Sequence, residues 1–99
     1  MQEGGLTLIV KRNGRVHRAH SEYFDPDKMR QSIVATCISC RVPGGHADSI
    51  SRRITEQVSE WLADKPEVTS DDLRRTAAHF LKTHHPEAAY IYEHHRSTF

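Results

Sequence analysis

The chain has 99 residues and a mass of 11.4 kDa, which allows one domain rather than two. Fourteen basic residues against 13 acidic ones give a formal net charge of +1, which argues against a broad nucleic-acid or membrane surface. Leu, Ile, Val and Phe are scarce, but charge-driven disorder needs a larger imbalance, so a small folded domain with one modest core is expected.

Residues 1–6 read as a flexible N-terminus and 7–99 as the domain. An apolar, β-branched run from Leu6 to Val10 leads into Lys11-Arg12-Asn13-Gly14-Arg15-Val16-His17. Asn-Gly between two short runs is a strong hairpin signal, because a type I′ turn needs positive φ at both central residues. Strands are predicted over about 7–12 and 15–19, with residues 20–24 a candidate third strand. Asp25-Pro26 opens a first helix, since Asp caps and Pro suits the first helical position. Met29, Ile33, Cys37 and Cys40 then share one face, widened by Val34 and Ile38, and Pro43-Gly44-Gly45 ends it. A second stripe runs from about Ala47 through Ile50, Ile54, Val58, Trp61 and Leu62, ending near Lys65-Pro66. Thr69-Ser70-Asp71-Asp72 starts a third helix, with Leu73, Ala77, Phe80 and Leu81 as its apolar face. His85-Pro86-Glu87 starts a fourth, in which Ala88, Ile91, Tyr92 and His95 share a side. The expected fold is α+β: an N-terminal β-hairpin, with a third strand left open, capping a small four-helix bundle.

Three groups of residues invite a chemical reading. In a two-residue turn Arg12 and Arg15 face each other across the strands, with Lys11 beside them. Like charges placed so repel, and a bound polyanion reverses that effect; alternatively an exposed tip sheds its charge into water. Lys28 lies in the first turn of the first helix, against the dipole, where an anion would be held by it and by backbone N–H groups together; a plain surface lysine is the alternative. Cys37 and Cys40 have metal-like spacing, and the pairs His84-His85 and His94-His95 could complete a zinc site. Both thiols nevertheless lie on the apolar stripe, where free Cys behaves as a small buried hydrophobe. Neither a Walker-type nor a dinucleotide-type glycine loop is present, and no spacing singles out a nucleophile with a base, so no catalytic residues are assigned. No run of 18 apolar residues and no leader pattern is read, so a cytoplasmic location is expected.

Ile9-Val10-Lys11-Arg12-Asn13-Gly14-Arg15 followed by Phe24-Asp25-Pro26-Asp27-Lys28-Met29 resembles the signature of the ATP-cone domain, roughly Val-x-Lys-Arg-Asp-Gly-Arg, a spacer, then Phe-Asp-x-x-Lys-Ile. Val68-Thr69-Ser70-Asp71-Asp72-Leu73 and Pro86-Glu87-Ala88-Ala89-Tyr90-Ile91-Tyr92-Glu93-His94-His95-Arg96 are similar to its third and fourth helices. The resemblance covers about residues 7–97. It implies a hairpin on four helices that binds ATP or dATP, usually with magnesium, as an allosteric signal. Such domains sit on ribonucleotide reductases and on a zinc-ribbon repressor of reductase genes, where they change oligomeric state. Carried over by position, Ile9 packs near the base, Lys11 and Arg12 hold phosphates, and Asp25 contacts the adenine. Lys28 is a further nucleotide contact, Met29 an apolar wall, Ser70 a nearby hydroxyl, and Arg96 a basic contact from the last helix. The spacer between Lys11 and Lys28 is longer than the family's, and His17 and Glu22 compete for the acidic or polar position that reads adenine. The expected partners are an adenine nucleotide and either further copies of the chain, as a homo-oligomer, or a separate regulated protein. Neither a membrane nor nucleic acid by itself is expected. The rival readings are an assembly domain that has lost nucleotide binding, and a metal- or DNA-associated regulator.

Overall fold

The computed structural model describes residues 7–12 and 19–94, with Lys11, Arg12, Ala19 and His20 placed through their backbone. The order is β1 (Leu8–Arg12), β2 (Ala19–Tyr23), α1 (Pro26–Ser39), α2 (Gly44–Leu62), β3 (Glu67–Thr69), α3 (Ser70–Leu81) and α4 (Pro86–His94). The strands form one sheet in the order β2-β1-β3, beside the four helices.

The hairpin departs from expectation. β1 and β2 pair antiparallel with Leu8 opposite Tyr23 and Arg12 opposite Ala19. Residues 13–18 therefore connect them, where a two-residue Asn13-Gly14 turn was predicted. Arg12 is paired with Ala19 and not with Arg15, and the described second strand is Ala19–Tyr23. The candidate third strand at 20–24 is this second strand. The Asn13-Gly14 turn itself and residues 15–18 lie outside the described residues. The register is set from the other end of the pair. Phe24 is buried, and its N–H bonds the carbonyl of Thr7 at 2.9 Å, continuing the ladder past Tyr23. A polar, exposed strand such as β2 has no hydrophobic alternation of its own to fix its register.

The sheet does have a third strand, but it is β3, parallel to β1, with Ile9 beside Val68 and Val10 beside Thr69. Thr7 ties this pairing to the end of α2: its Oγ1 lies 3.2 Å from the Leu62 carbonyl and 2.8 Å from that of Lys65. Leu8 N–H bonds the Pro66 carbonyl at 2.9 Å.

The helices start where capping chemistry places them. Asp25 Oδ1 accepts from the N–H groups of Asp27 and Lys28 at 3.0 and 3.3 Å. Thr69 Oγ1 accepts from Asp72 N–H, and His85 Nδ1 from Ala88 N–H. α2 begins at Gly44, three residues before the predicted Ala47. The two glycines lie in its first turn behind Pro43, instead of ending α1. α1 ends earlier, in a paired closure: Val42 N–H bonds Cys37 O at 3.0 Å and Arg41 N–H bonds Ile38 O at 2.8 Å. This closure requires a left-handed residue, and Arg41 occupies it at φ 68°.

Met29, Ile33 and Cys37 on α1 are fully buried, against Ile50, Ile54, Val58 and Leu62 of α2, Leu73, Ala77 and Leu81 of α3, and Tyr92 of α4. Ile38 was expected to widen the α1 stripe but is 52% exposed, and Cys40 is only half-buried at the helix cap. On α4, Ala88, Ala89 and Tyr92 face inward, while Ile91 is only half-buried. Ser32 Oγ bonds the Met29 carbonyl and stands 2.8 Å from the Tyr92 phenol. With the Ser32 proton given to that carbonyl, the phenol is the donor to Ser32.

Two predictions follow from these contacts. A non-glycine residue in the left-handed region costs about 1 kcal/mol, so Arg41→Gly is expected to raise the thermal midpoint by a few degrees. An unchanged or lowered midpoint in circular dichroism contradicts that account. Tyr92→Phe loses one buried hydrogen bond, about 1 kcal/mol. Burial, partly offset by the Ser32 bond and Arg74, pushes the phenol above its ordinary value, and burial also raises the Cys37 thiol. The folded state therefore holds these protons more tightly than the unfolded chain. The thiol's contribution is complete below its ordinary value of 9.0 and the phenol's below 10.0, and each is lost as pH rises beyond that value. Denaturant midpoints should fall over that range, and less steeply in Tyr92→Phe.

Candidate functional site

β1 is the central strand, and its C-terminal end carries Lys11 and Arg12, opposite His20 and Ala19 of β2. On the other side, Thr69 is the last residue of β3 and lies beside Val10. Ser70, the half-buried first residue of α3, is thus brought to the end of β1 where Lys11 stands. The reason is topological: a parallel strand that runs straight into a helix delivers that helix's start to the C-terminal end of its neighbour.

Asp25 and Lys28 belong to the opposite end. β2 runs back along β1, so the entry to α1 follows Tyr23, beside Leu8. Three residues of strand, about 10 Å, separate Leu8 from Lys11. A ligand touching both groups must lie extended along β1. Lys28 reaches back over β2, and its Nζ lies 3.1 Å from Glu22 Oε2, with side chains 44% and 53% exposed. Glu22 is itself opposite Ile9 on β1. Of the two residues competing to read adenine, Glu22 therefore stands beside Lys28 and the start of α1, while His17 lies outside the described residues.

Ile9 was expected to pack near the base and Met29 to form an apolar wall. Both belong to the core, Met29 fully buried and Ile9 nearly so. They underlie this edge of the sheet rather than present a face to solvent. The start of α1 also differs from the sequence expectation. Two of its N–H groups, those of Asp27 and Lys28, already donate to Asp25, so they are not open to an anion. Both bonds use Oδ1 of Asp25. Arg96 lies outside the described residues.

Of the thiols and histidines offered as a metal set, His95 lies outside the described residues and the others do not gather. Cys37 is buried, its thiol raised by burial and by Cys40, and among the described residues no three His, Cys, Asp or Glu side chains could hold a metal ion together. His85 is occupied as the cap of α4, and His94 stacks on Tyr90 with ring centroids 4.3 Å apart. No helix among the described residues is long and apolar enough to cross a membrane.

Sequence reasoning gave Asp25 two roles, as the cap of α1 and as a contact to the base; the cap is formed, through Oδ1. It missed the closeness of Glu22 and Lys28, which are six residues apart and meet only because β2 turns directly into α1.

Comparison with known proteins gives one match. The family model of the ATP cone domain matches residues 7–97. No curated protein and no solved structure matches the chain. The signature residues on β1 and at the start of α1, the three-stranded sheet with four helices, and the match over nearly all of the chain agree, and the protein belongs to the ATP-cone family, a nucleotide-binding regulatory domain rather than a catalytic one.

Proposed function

We propose that this chain is an adenine-nucleotide sensor that binds ATP or dATP along β1 and reports occupancy through assembly. The observation that carries the reading is the family match over residues 7–97. In this reading the phosphates lie at the Lys11-Arg12 end of β1, within reach of Ser70, and the base lies toward Asp25, Glu22 and Lys28. Arg96 is a further basic contact from beyond α4. Ile9 and Met29 support the site from beneath.

The carboxylates of this end suit the exocyclic amino group of adenine. Adenine presents an exocyclic amino donor where guanine presents a carbonyl acceptor. Glu22 and Asp25 are carboxylates, which accept and do not donate. Guanine in the same pose would set its carbonyl against them, and only a different pose would offer them its N1–H and 2-amino donors. Magnesium, when it accompanies the nucleotide, is assigned to the phosphate oxygens and water, the arrangement this ion prefers to an all-protein cage. That assignment fits the described residues, which include no ready metal-ligand cluster. Residues 7–99 act as one unit in a cytoplasmic setting, where adenine nucleotides occur and free cysteines persist. The output is a change in homo-oligomeric state or in contact with a separate regulated protein.

Calorimetric titration of the whole chain with ATP, dATP and GTP tests this. Binding of ATP or dATP tighter than about 1 mM is expected, with GTP weaker. Absence of heat from both adenine nucleotides at that concentration overturns the reading. Lys11→Ala and Arg12→Ala should abolish binding while the melting curve keeps its shape, and Lys28→Ala should weaken it about tenfold, near 1.4 kcal/mol. Unchanged affinity removes that residue from the site. Glu22→Gln supplies a donor as well as an acceptor, so it should narrow the preference for ATP over GTP. Light scattering with and without nucleotide reads the output. A mass independent of nucleotide, in the absence of any partner, would leave the signal to a separate protein.

A further inference from the structure

Away from the sheet, α3 and α4 leave a groove of about 410 Å³ between them. Ala78 and Ala89 belong to its lining and are both buried, one from each helix. Arg75 and His79 of α3 and Lys82, the residue that caps its C-terminus, also line it. Their spacing of four and three residues places them on one helical face, away from the inward Leu73, Ala77 and Leu81. From α4 come Tyr90, which is 67% exposed, and Glu93.

The charges here are poorly satisfied within the chain. Arg75 faces Asp72 at 3.7 Å, with side chains 61% and 55% exposed, a contact worth little in water. Lys82 has no carboxylate partner among the described residues. Glu93 is the one carboxylate in the lining, against Arg75 and Lys82. Tyr and Arg around a small apolar floor are also the side chains that dominate the centres of protein interfaces. A helical pair open along its length suits a chain segment better than a compact solute.

We propose that the α3–α4 groove docks an acidic segment of a partner protein, with an apolar side chain against Ala78, Ala89 and Tyr90 and flanking carboxylates on Arg75 and Lys82. The groove's lining includes none of Lys11, Arg12, Lys28 or Ser70, so its docking is tested without nucleotide.

The test uses the ¹⁵N-labelled full chain without nucleotide and a Glu-rich peptide with one central Leu. A second peptide carries Lys in place of Glu, and a single-stranded oligonucleotide serves as the nucleic-acid arm. The acidic peptide is expected to bind tighter than about 1 mM and to shift amides of α3 and α4 selectively. Affinity should fall about tenfold in Arg75→Gln/Lys82→Gln and in Tyr90→Ala, and it should fall as salt is added. Because these side chains are exposed, the variants' amide spectra should keep their dispersion. If the Tyr90 variant does not fold, the Gln pair decides alone. No shift up to that concentration, equal binding of the Lys peptide, shifts centred on the sheet, or tighter binding of the oligonucleotide each overturns the proposal. ATP titrated separately reports on the sensor reading alone, so the two failures are distinguishable.

Discussion

The fold depends on one stripe. Met29, Ile33 and Cys37 repeat every four residues on α1, and none retains any exposure. Burying such side chains contributes about 1.5–3 kcal/mol each for the larger ones, and the gain is available at one rotation of the helix only. That rotation decides where everything else on α1 points. Lys28 precedes Met29 by one residue, about 100° around the helix. With Met29 inward, Lys28 emerges beside the sheet, where it meets Glu22. The residues of the candidate site are therefore held by the packing of the core beneath them and not by a loop.

The same stripe links the site to the far side of the domain. Ser32 lies on α1 one turn beyond Lys28, and its hydroxyl joins α1 to the buried phenol of Tyr92 on α4. Arg74 of α3 reaches the same end of α4, where its Nε lies 3.0 Å from the Glu93 carbonyl, and its guanidinium also contacts Asp71. α4 is thus clasped by α1 through its inner face and by α3 through its last turn. A shift of α1 on binding a ligand would be felt by α4 through a buried polar contact, which is sensitive to displacement in a way that apolar contacts are not. Tyr90 and Glu93, on the outer part of α4, would move with it.

The helices were legible in the sequence because their signals are local. Asp25-Pro26, Thr69 and His85-Pro86 each set a helix start through bonds reaching two or three residues. The spacing of Met29, Ile33 and Cys37 showed their inward face directly. The sheet was legible only in part. Asn13-Gly14 is a strong local turn signal, yet the register of β2 is set by Phe24 and the entry to α1, a constraint from the opposite end of the strand. β3 has three residues, too few for any period, and its partner lies more than fifty positions away. Gly44-Gly45 read as a breaker because glycine disfavours helices; at the first turn behind Pro43 that cost is small against the apolar face that follows. At the site, the residue types were legible, but their grouping was not. The sheet topology alone brings Ser70 to the Lys11 end of β1 and separates Asp25 from it.

The near-zero net charge also acquires a structural meaning. On the helices the arginines pair with carboxylates one turn away: Arg30 with Asp27, Arg52 with Asp48, Arg53 with Glu56, Arg75 with Asp72. These exposed pairs contribute little stability each, but they cancel charge locally, and they account for much of the excess of Arg over Lys. The segment from Lys11 to Lys28 follows a different arrangement. It contains five basic residues and three acidic ones. Each of the acidic ones has a role: Glu22 meets Lys28, Asp25 caps α1, and Asp27 pairs with Arg30. Cancellation on the helices and concentration in this segment of the sequence produce the same total of +1 as an even mixture would. A polyphosphate approaching the domain responds to the local sum, and along the sequence that sum is positive over the segment that opens with the family signature at Lys11 and Arg12.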